Sequence, residues 1–466
     1  MKAKEYTNPW LISVVTFLGS CMAGIDTGVI NVALPTITNL FNVNLSTAQW
    51  TVTGFLLALC ALLPICGRFS DLYTKRRIYL LGLAVFTISS FFCSFSTTIS
   101  QLIIFRVIQG IGGAMVMANS QAIIAMNFPS EKLGRALGIN SMAISLGMIL
   151  GPSVGGFLIA AFSWHAIFLI NIPIGIIGFY FSYKSLPRNE SIKKYESFDV
   201  LGTILFILGL NIILIAMSNG FSWQWSIGKI IAFCFLGIVV LLFFLLWEKK
   251  AQAPIIDLSI FKNLDYLLGN VSVFLTYISL STNNLLLPFA FQDVFHFSPA
   301  ITGVFLFIPP MFIVVMAPLS GYCSDFIDKA ILVIVGLILI TIAMLIEAFI
   351  QVGNSLFAIV IAQALLGIGL GIFMSPNNSS TLSTVPKTKL GIAASINSLI
   401  CNCGKIFGTS IAAILCVEIQ RHLMDVSHLT KNAAFIISFK FSFIIVSVLT
   451  FISVIFTIKR LAVFKK

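Results

Sequence analysis

The sequence predicts an all-α integral membrane protein of fourteen transmembrane segments, built as two six-helix bundles related by an internal repeat with two extra segments between them. Three observations lead there. Composition comes first: 58% of the 466 residues are hydrophobic, 9% are charged and mean hydropathy is +1.04, far from the values of soluble domains. The second is a succession of apolar stretches of about 20 residues or more, the length that crosses the hydrocarbon core of a bilayer as a helix. The third is self-similarity at a long, fixed offset.

The repeat is clearest between Leu102 and Gly156. An apolar segment carries Arg106, Gln109, Gly110, Gly112 and Gly113, a polar turn follows from Pro129 to Arg135, and a second apolar segment holds Gly147, Gly151, Pro152, Gly155 and Gly156. A shift of 257 residues brings back Gly367, Gly369, Pro386, Lys389, Leu390, Gly391, Asn397, Ser398, Gly404 and Gly408 without a gap. Weaker echoes agree: Gly67 and Asp71 recur as Gly321 and Asp325, and Asn31 with Pro35 recurs as Asn284 with Pro288. The chain therefore divides into a first bundle over 1–186, linkers with the two inserted segments over 187–264, and a second bundle over 265–466.

In order, the predicted segments are 10–34, 46–66, 78–96, 99–126, 136–160 and 165–184, then the inserted pair 199–219 and 227–247. The second bundle follows at 265–291, 299–322, 330–351, 355–383, 389–416 and 435–458. Leu18 to Cys21 resembles a lipoprotein cleavage box, but cutting there would bisect a run of spanning length, so the first run is read as a membrane segment. Of the 28 Lys and Arg, only Lys229, Arg421, Lys431 and Lys440 fall at the outer side and Arg106 and Lys405 fall within segments when the N-terminus is cytoplasmic. The positive-inside rule then places both termini in the cytoplasm, which an even number of segments satisfies.

Several function classes are excluded on these grounds. The net charge of +12 is spread over many short loops and forms no basic face, so no nucleic-acid partner is expected. Cys401 and Cys403 lack a second cysteine pair or a nearby histidine, and all four histidines lie near segment ends, so neither a metal nor another cofactor is expected. The same absence of a metal cluster or of a nucleophile with its base argues against an enzyme. No GxxxxGK[ST] phosphate loop is present, so ATP is not the evident energy source.

Four stretches resemble the major facilitator superfamily, specifically its fourteen-spanner drug:proton antiporters of bacterial multidrug efflux. They are Gly24 to Pro35, including Asp26 and Asn31; Gly67 to Arg77, with Asp71, Arg76 and Arg77; Arg106 to Gly113; and Gly147 to Gly156. The loop departs from the family pattern at Leu72 and Thr74. The resemblance implies a major facilitator fold, alternating access, protons and a small-molecule substrate as partners, a monomer, and the bacterial plasma membrane as the location.

The residues themselves give the roles physical content. Asp26 and Arg106 sit in segments of opposite direction at matched depths, roughly 12 and 10 Å below the outer boundary at 1.5 Å per residue. Charges at such depth cost about 2.5–3.5 kcal/mol each on insertion scales, so both need partners or a cavity. Burial favours the neutral acid and a nearby cation the carboxylate, so a motion that changes their separation would load and release a proton; a static ion pair locking two helices is the other reading. Gly147, Gly151, Gly155 and Gly156 allow close helix approach and Pro152 permits a bend; in the family they mark exporters. Gly67, Asp71, Arg76 and Arg77 are read as the cytoplasmic gate, with Asp71 facing a helix N-terminus, or in the case of the basic residues as topology determinants.

Asn31, Gln109, Tyr277, Ser281, Asn284 and Lys405 are the expected substrate cavity, the three middle residues sharing one helical face. Lys405 is read as a counter-ion for Asp26 or Glu347, or as a contact for an anionic substrate, and Glu347 as an interfacial acid near its segment end. The expected activity is proton-coupled export of small amphipathic, cationic or zwitterionic compounds. Export of an anionic or lipid-like metabolite is the alternative, and a non-transporting sensor a further one.

Overall fold

In the computed structural model, residues 9–43, 45–187, 199–219, 225–251, 254–297, 299–350, 356–386 and 389–464 are described. The first half contains α1 (Pro9–Leu40), α2 (Leu45–Leu72), α3 (Lys75–Ser94), α4 (Ile99–Asn127), α5 (Ser130–Ala161), α6 (Ala166–Leu169) and α7 (Asn171–Ser185). The inserted pair is α8 (Val200–Asn219) and α9 (Ile227–Glu248). The second half contains α10 (Leu264–Phe289), α11 (Pro299–Cys323), α12 (Lys329–Ala348), α13 (Leu356–Ser383), α14 (Leu390–Ser427) and α15 (Lys431–Phe464). Every predicted segment is occupied. Among the described residues thirteen helices are long and apolar enough to span a membrane, and α5, with 32 residues, is the other long one.

Two details differ from the segment forecast. The sixth segment is not one helix: it breaks after Leu169, and α7 starts afresh at Asn171, a polar residue with no exposed surface. The helices also outrun their apolar stretches, α14 reaching 38 residues, because a helix continues past the hydrocarbon as long as its polar turns are solvated or packed, whereas hydropathy sees only the apolar part. Helix starts follow the local chemistry: Thr74 and Thr98 accept from the N–H groups of Arg77 and Gln101 at 3.2 and 3.3 Å and cap α3 and α4.

The two halves are built alike. α1 packs on α5, α2 and α3 on α4, and α3 on α7; in the same pattern α10 packs on α14, α11 and α12 on α13, and α12 on α15. The closest of these approaches are glycine-made. A Cβ on Gly147 would lie 2.5 Å from the Cys21 carbonyl oxygen, and one on Gly151 2.7 Å from Gly28 Cα, so α1 and α5 touch backbone to backbone. Gly404 and Gly408 bring α14 equally close to α10, with 2.8 and 2.5 Å to the Phe274 and Ile278 carbonyls. Gly155 faces Val29 at 3.1 Å, whereas Gly156 faces open space. The Pro152 side chain lies outside the described residues, as does that of Asn31.

The inserted pair packs beside the core. α8 leans on α2 and α14, where Ser410 donates to the Met217 carbonyl at 2.7 Å, while α9 covers α8 and turns large apolar side chains such as Phe235 outward. The halves meet at the end of the bundle where α1 begins. There Gly67 on α2 lies against Gly391 at the start of α14, and Gly321 on α11 lies against Gly134 in α5, two related glycine crossings made by the two members of the repeat.

These contacts predict that Gly151→Val, which drives side-chain atoms into the α1 backbone, costs about 1–3 kcal/mol or more. Gly156→Ala is expected to be neutral. Thermal unfolding of the two purified variants in detergent, followed by loss of the monodisperse peak, checks the contrast; equal melting temperatures would contradict the packing described.

Candidate functional site

Asp26 lies midway along α1 on the side turned to α4 and α7, and it is only 3% exposed. Its carboxylate accepts three hydrogen bonds: from Arg106 at 2.7 Å, from the Gln109 amide at 2.9 Å and from the Asn171 amide at 3.1 Å. Arg106 in turn donates to the Thr51 carbonyl at 2.9 Å and to Gln109 Oε1 at 2.6 Å, and its guanidinium sits 4.4 Å from the centre of the Phe55 ring. Gln109 Nε2 also donates to Ser90 at 2.7 Å. The ion pair is thus fully desolvated and supported by groups from α1, α2, α3, α4 and α7. The expected match in depth between Asp26 and Arg106 is realised as direct contact.

The break in the sixth segment explains Asn171. Starting α7 at that residue aims its amide at Asp26, a partner that hydropathy could not show. Ser90 was equally invisible, since a serine inside an apolar run ordinarily bonds back to its own helix, and Thr51 takes part through its backbone carbonyl, which no side-chain pattern marks.

The cavity lies on the other side of α1. Ala23, Gly24 and Thr27, the neighbours of Asp26, line a space of about 130 Å³ together with Phe55 on α2, Gln121 on α4, Asn140 on α5, and Asn402 and Lys405 on α14. Ser20 and Asn140 join across α1 and α5 at 2.7 Å at its edge. Among the described lining residues Lys405 is the only charged group and there is no carboxylate. Its ammonium also rests 5.4 Å from the centre of the Tyr277 ring.

Several cavity expectations are corrected by this geometry. Gln109 does not line the space; its amide is fully engaged in the Asp26 network. Ser281 is buried within the second half and Asn284 is exposed, and neither is among the residues that line this space. Lys405 is not a counter-ion, because Asp26 has Arg106 and Glu347 has amide partners. Glu347 is not interfacial. Although it is the penultimate residue of α12, it has no exposed surface, because α10 and α13 close over it.

At the end where the halves meet, Asp71 accepts from the backbone N–H groups of Gly391 and Ile392 at 3.1 and 3.0 Å and pairs with Lys75 at 2.8 Å. A carboxylate of the first half therefore sits on the N-terminus of α14 in the second, where unpaired N–H groups and the helix dipole favour an anion. Arg76 donates to the Tyr183 carbonyl at 2.7 Å and covers its ring, which ties α3 to α7, while the Arg77 side chain is exposed. Thr74, one of the departures from the family loop pattern, is the cap of α3.

The comparisons with known proteins follow the same lines. The Major Facilitator Superfamily model matches residues 16–204 and 270–464, and the stretch left between them holds most of α8 and all of α9. The chain is 32% identical over 453 residues to the riboflavin transporter RibZ of Clostridioides difficile, covering 96% of this chain and 97% of that protein. It is 28% identical over 407 residues to the multidrug export protein EmrB of Haemophilus influenzae, covering 87% of this chain and 80% of that one. Among solved structures, the proton:xylose symporter XylE superposes with a TM-score of 0.65 at 16% identity, covering 96% of this chain and 95% of the other. The human organic anion transporter MFSD10 gives a TM-score of 0.65 at 16% identity over 95% and 99%.

Two repeated helical bundles around a largely apolar cavity with a few polar groups are the build of a membrane transporter. The chain belongs to the Major Facilitator Superfamily.

Removing one member of a buried ion pair leaves an uncompensated charge and costs about 3–5 kcal/mol. Arg106→Met is therefore expected to melt well below the wild type, and the double variant with Asp26→Asn to recover much of the loss. Melting temperatures of the three proteins test this; a single variant as stable as the wild type would show that the pair bears no such load.

Proposed function

We propose that this protein is a proton-coupled exporter that moves a small amphipathic molecule out of the bacterial cell by alternating access, with both termini in the cytoplasm. The observation that carries the reading is the placement of Asp26. Its carboxylate is buried against Arg106 on one side of α1, while the residues flanking it line the cavity on the other. A cargo that presses on Ala23, Gly24 or Thr27 moves α1 and so changes the distance from Asp26 to Arg106. Protonation of Asp26 removes the charge attraction and frees α1 to rock against α4; deprotonation restores it.

The glycine faces of α5 against α1 give the rocking unit a rigid, close-packed body. The contact of Asp71 with the N-terminus of α14 serves as the latch of the cytoplasmic end, which is closed in this conformation. Opening that end requires the Asp71 hydrogen bonds and the two glycine crossings to part together. The boundaries of the moving units follow the repeat, with 1–186 and 265–466 as the two bodies and 187–264 as the connection.

A second reading of the cargo is favoured by Lys405. A cavity whose charged group is a cation, with amides of Gln121, Asn140 and Asn402 around it, suits a neutral or anionic hydrogen-bonding heterocycle better than a lipophilic cation. The relative named as a riboflavin transporter points the same way, whereas the relatives named as multidrug export proteins support a broader range.

Proteoliposomes with an imposed pH gradient decide between these. The wild type is expected to move riboflavin, ethidium or both only with the gradient, and Asp26→Asn to lower the rate by at least about tenfold. Lys405→Gln should impair riboflavin and spare or improve ethidium if the cavity selects against cations. Transport by Asp26→Asn at the wild-type rate would sink the coupling role, and gradient-independent movement would sink the exporter reading.

A further inference from the structure

Glu347 is a fully buried carboxylate for which the function above has no use. It accepts two hydrogen bonds from Asn283 Nδ2, at 2.9 and 2.8 Å, and a third from Gln363 Nε2. No ion pair reaches it among the described residues. The charged groups on the helices around it are engaged or remote. Asp265 on α10 and Arg460 on α15 pair with each other near the opposite end, and Lys440 on α15 rests over the Phe349 ring at 4.7 Å. α13 carries no charged residue, and Lys329 stands at the far end of α12. Tyr277 on α10 turns toward Lys405.

The position of this cluster is not arbitrary. At the 257-residue offset that relates α4 to α13, Gln363 corresponds to Arg106, while the glycine contacts pair Asp26 with Ser279 and Ser90 with Met344, so that Asn283 and Glu347 stand one helical turn beyond those counterparts. The second half thus contains a polar knot on the same three helices of its bundle, with its acid on the third helix where the first half has it on the first, and with a neutral amide at the place of the arginine. The first half holds its carboxylate with a cation; the second does not.

A carboxylate with only amide donors, sealed in apolar surroundings, lacks the charge that would hold it ionised, whereas a carboxylic acid there is neutral and needs only one acceptor for its O–H. The acceptors are present. Asn283 Oδ1 and Gln363 Oε1 are both buried and accept no hydrogen bond among the described residues. Rotation of either amide by half a turn exchanges its N–H₂ for its oxygen at the carboxyl, a choice that the heavy-atom positions leave open. The same two side chains can therefore satisfy the group in both protonation states. Glu347 also stands in the last turn of α12, so the aqueous phase from which one proton would come, and to which it would return, is one helical turn away.

We propose that Glu347 is a second proton-binding site, in the second half of the transporter, whose neutral form is held by Asn283 and Gln363. The site rests on the geometry just given, and its use in transport rests on the proton-coupled reading. The two bundles then carry unlike sites at related places: an acid paired with arginine in the first and an acid kept neutral by amides in the second.

Infrared difference spectroscopy of the purified protein labelled with ¹³C-glutamate reads the site without any cargo. The wild type at neutral pH is expected to show the isotope-shifted C=O stretch of a protonated glutamic acid that bleaches reversibly as pH is raised. Glu347→Gln should abolish that component and Asp26→Asn should keep it. Gln363→Arg, which supplies the cation that the first half has, should also abolish it by holding the carboxylate ionised, and it tests the same point if Glu347→Gln folds poorly. A wild-type spectrum unchanged by Glu347→Gln, or a band that does not respond to pH, would overturn the assignment. Failure of riboflavin and ethidium transport would count against proton-coupled export and leave this result readable.

Discussion

The structure depends on one constraint: a polar group placed inside hydrocarbon must find every partner within the protein. Asp26 and Arg106 are the clearest case. Neither can be hydrated where it stands, so five helices contribute an arginine, two amides, a hydroxyl and a backbone carbonyl to one knot. That requirement fixes how α1 faces α4, why the sixth segment breaks before Asn171, and which side of α1 is left to line the cavity. The same helix thus carries the ion pair on one face and part of the cavity lining on another.

Close backbone packing is the second element, and it follows from the same solvent. Lipid offers no hydrophobic drive to press apolar helices together, so association relies on contact over many atoms, which small residues permit. Gly147 and Gly151 against α1, Gly404 and Gly408 against α10, and the crossings of Gly67 with Gly391 and of Gly134 with Gly321 are all of this kind. The first two sets lie within a half and make it rigid. The last two lie between halves, at one end, beside the hydrogen bonds of Asp71.

The duplication joins these themes. Helix pairs, glycine crossings and the polar knots all come in two copies, yet the chemistry of the copies has diverged. Asp26 and Arg106 face each other in the first knot, while Asn283, Glu347 and Gln363 occupy related places in the second. The scaffold is thus symmetric while its two buried acids are not: one is held by a cation and the other by amides.

By itself the sequence determined the membrane class, the helical segments, the duplication, the family and the matched depth of Asp26 and Arg106, because apolar length, periodicity and an isolated charge are local signals whose cost in lipid is large. It could not place Gln109, which sits one turn from Arg106 and turns to the ion pair instead of the cavity. Nor could it see that Asn284 is exposed while its neighbour Asn283 is buried and holds Glu347, since adjacent residues differ by 100° around a helix and only the packing of α10 against α12 and α13 selects between them. Glu347 looked interfacial from its distance to a segment end; depth along a helix is readable from sequence, but enclosure by neighbouring helices is not. The tertiary structure alone decided which polar residues meet, because the meetings between helices in the two buried polar clusters join positions from 16 to 145 residues apart.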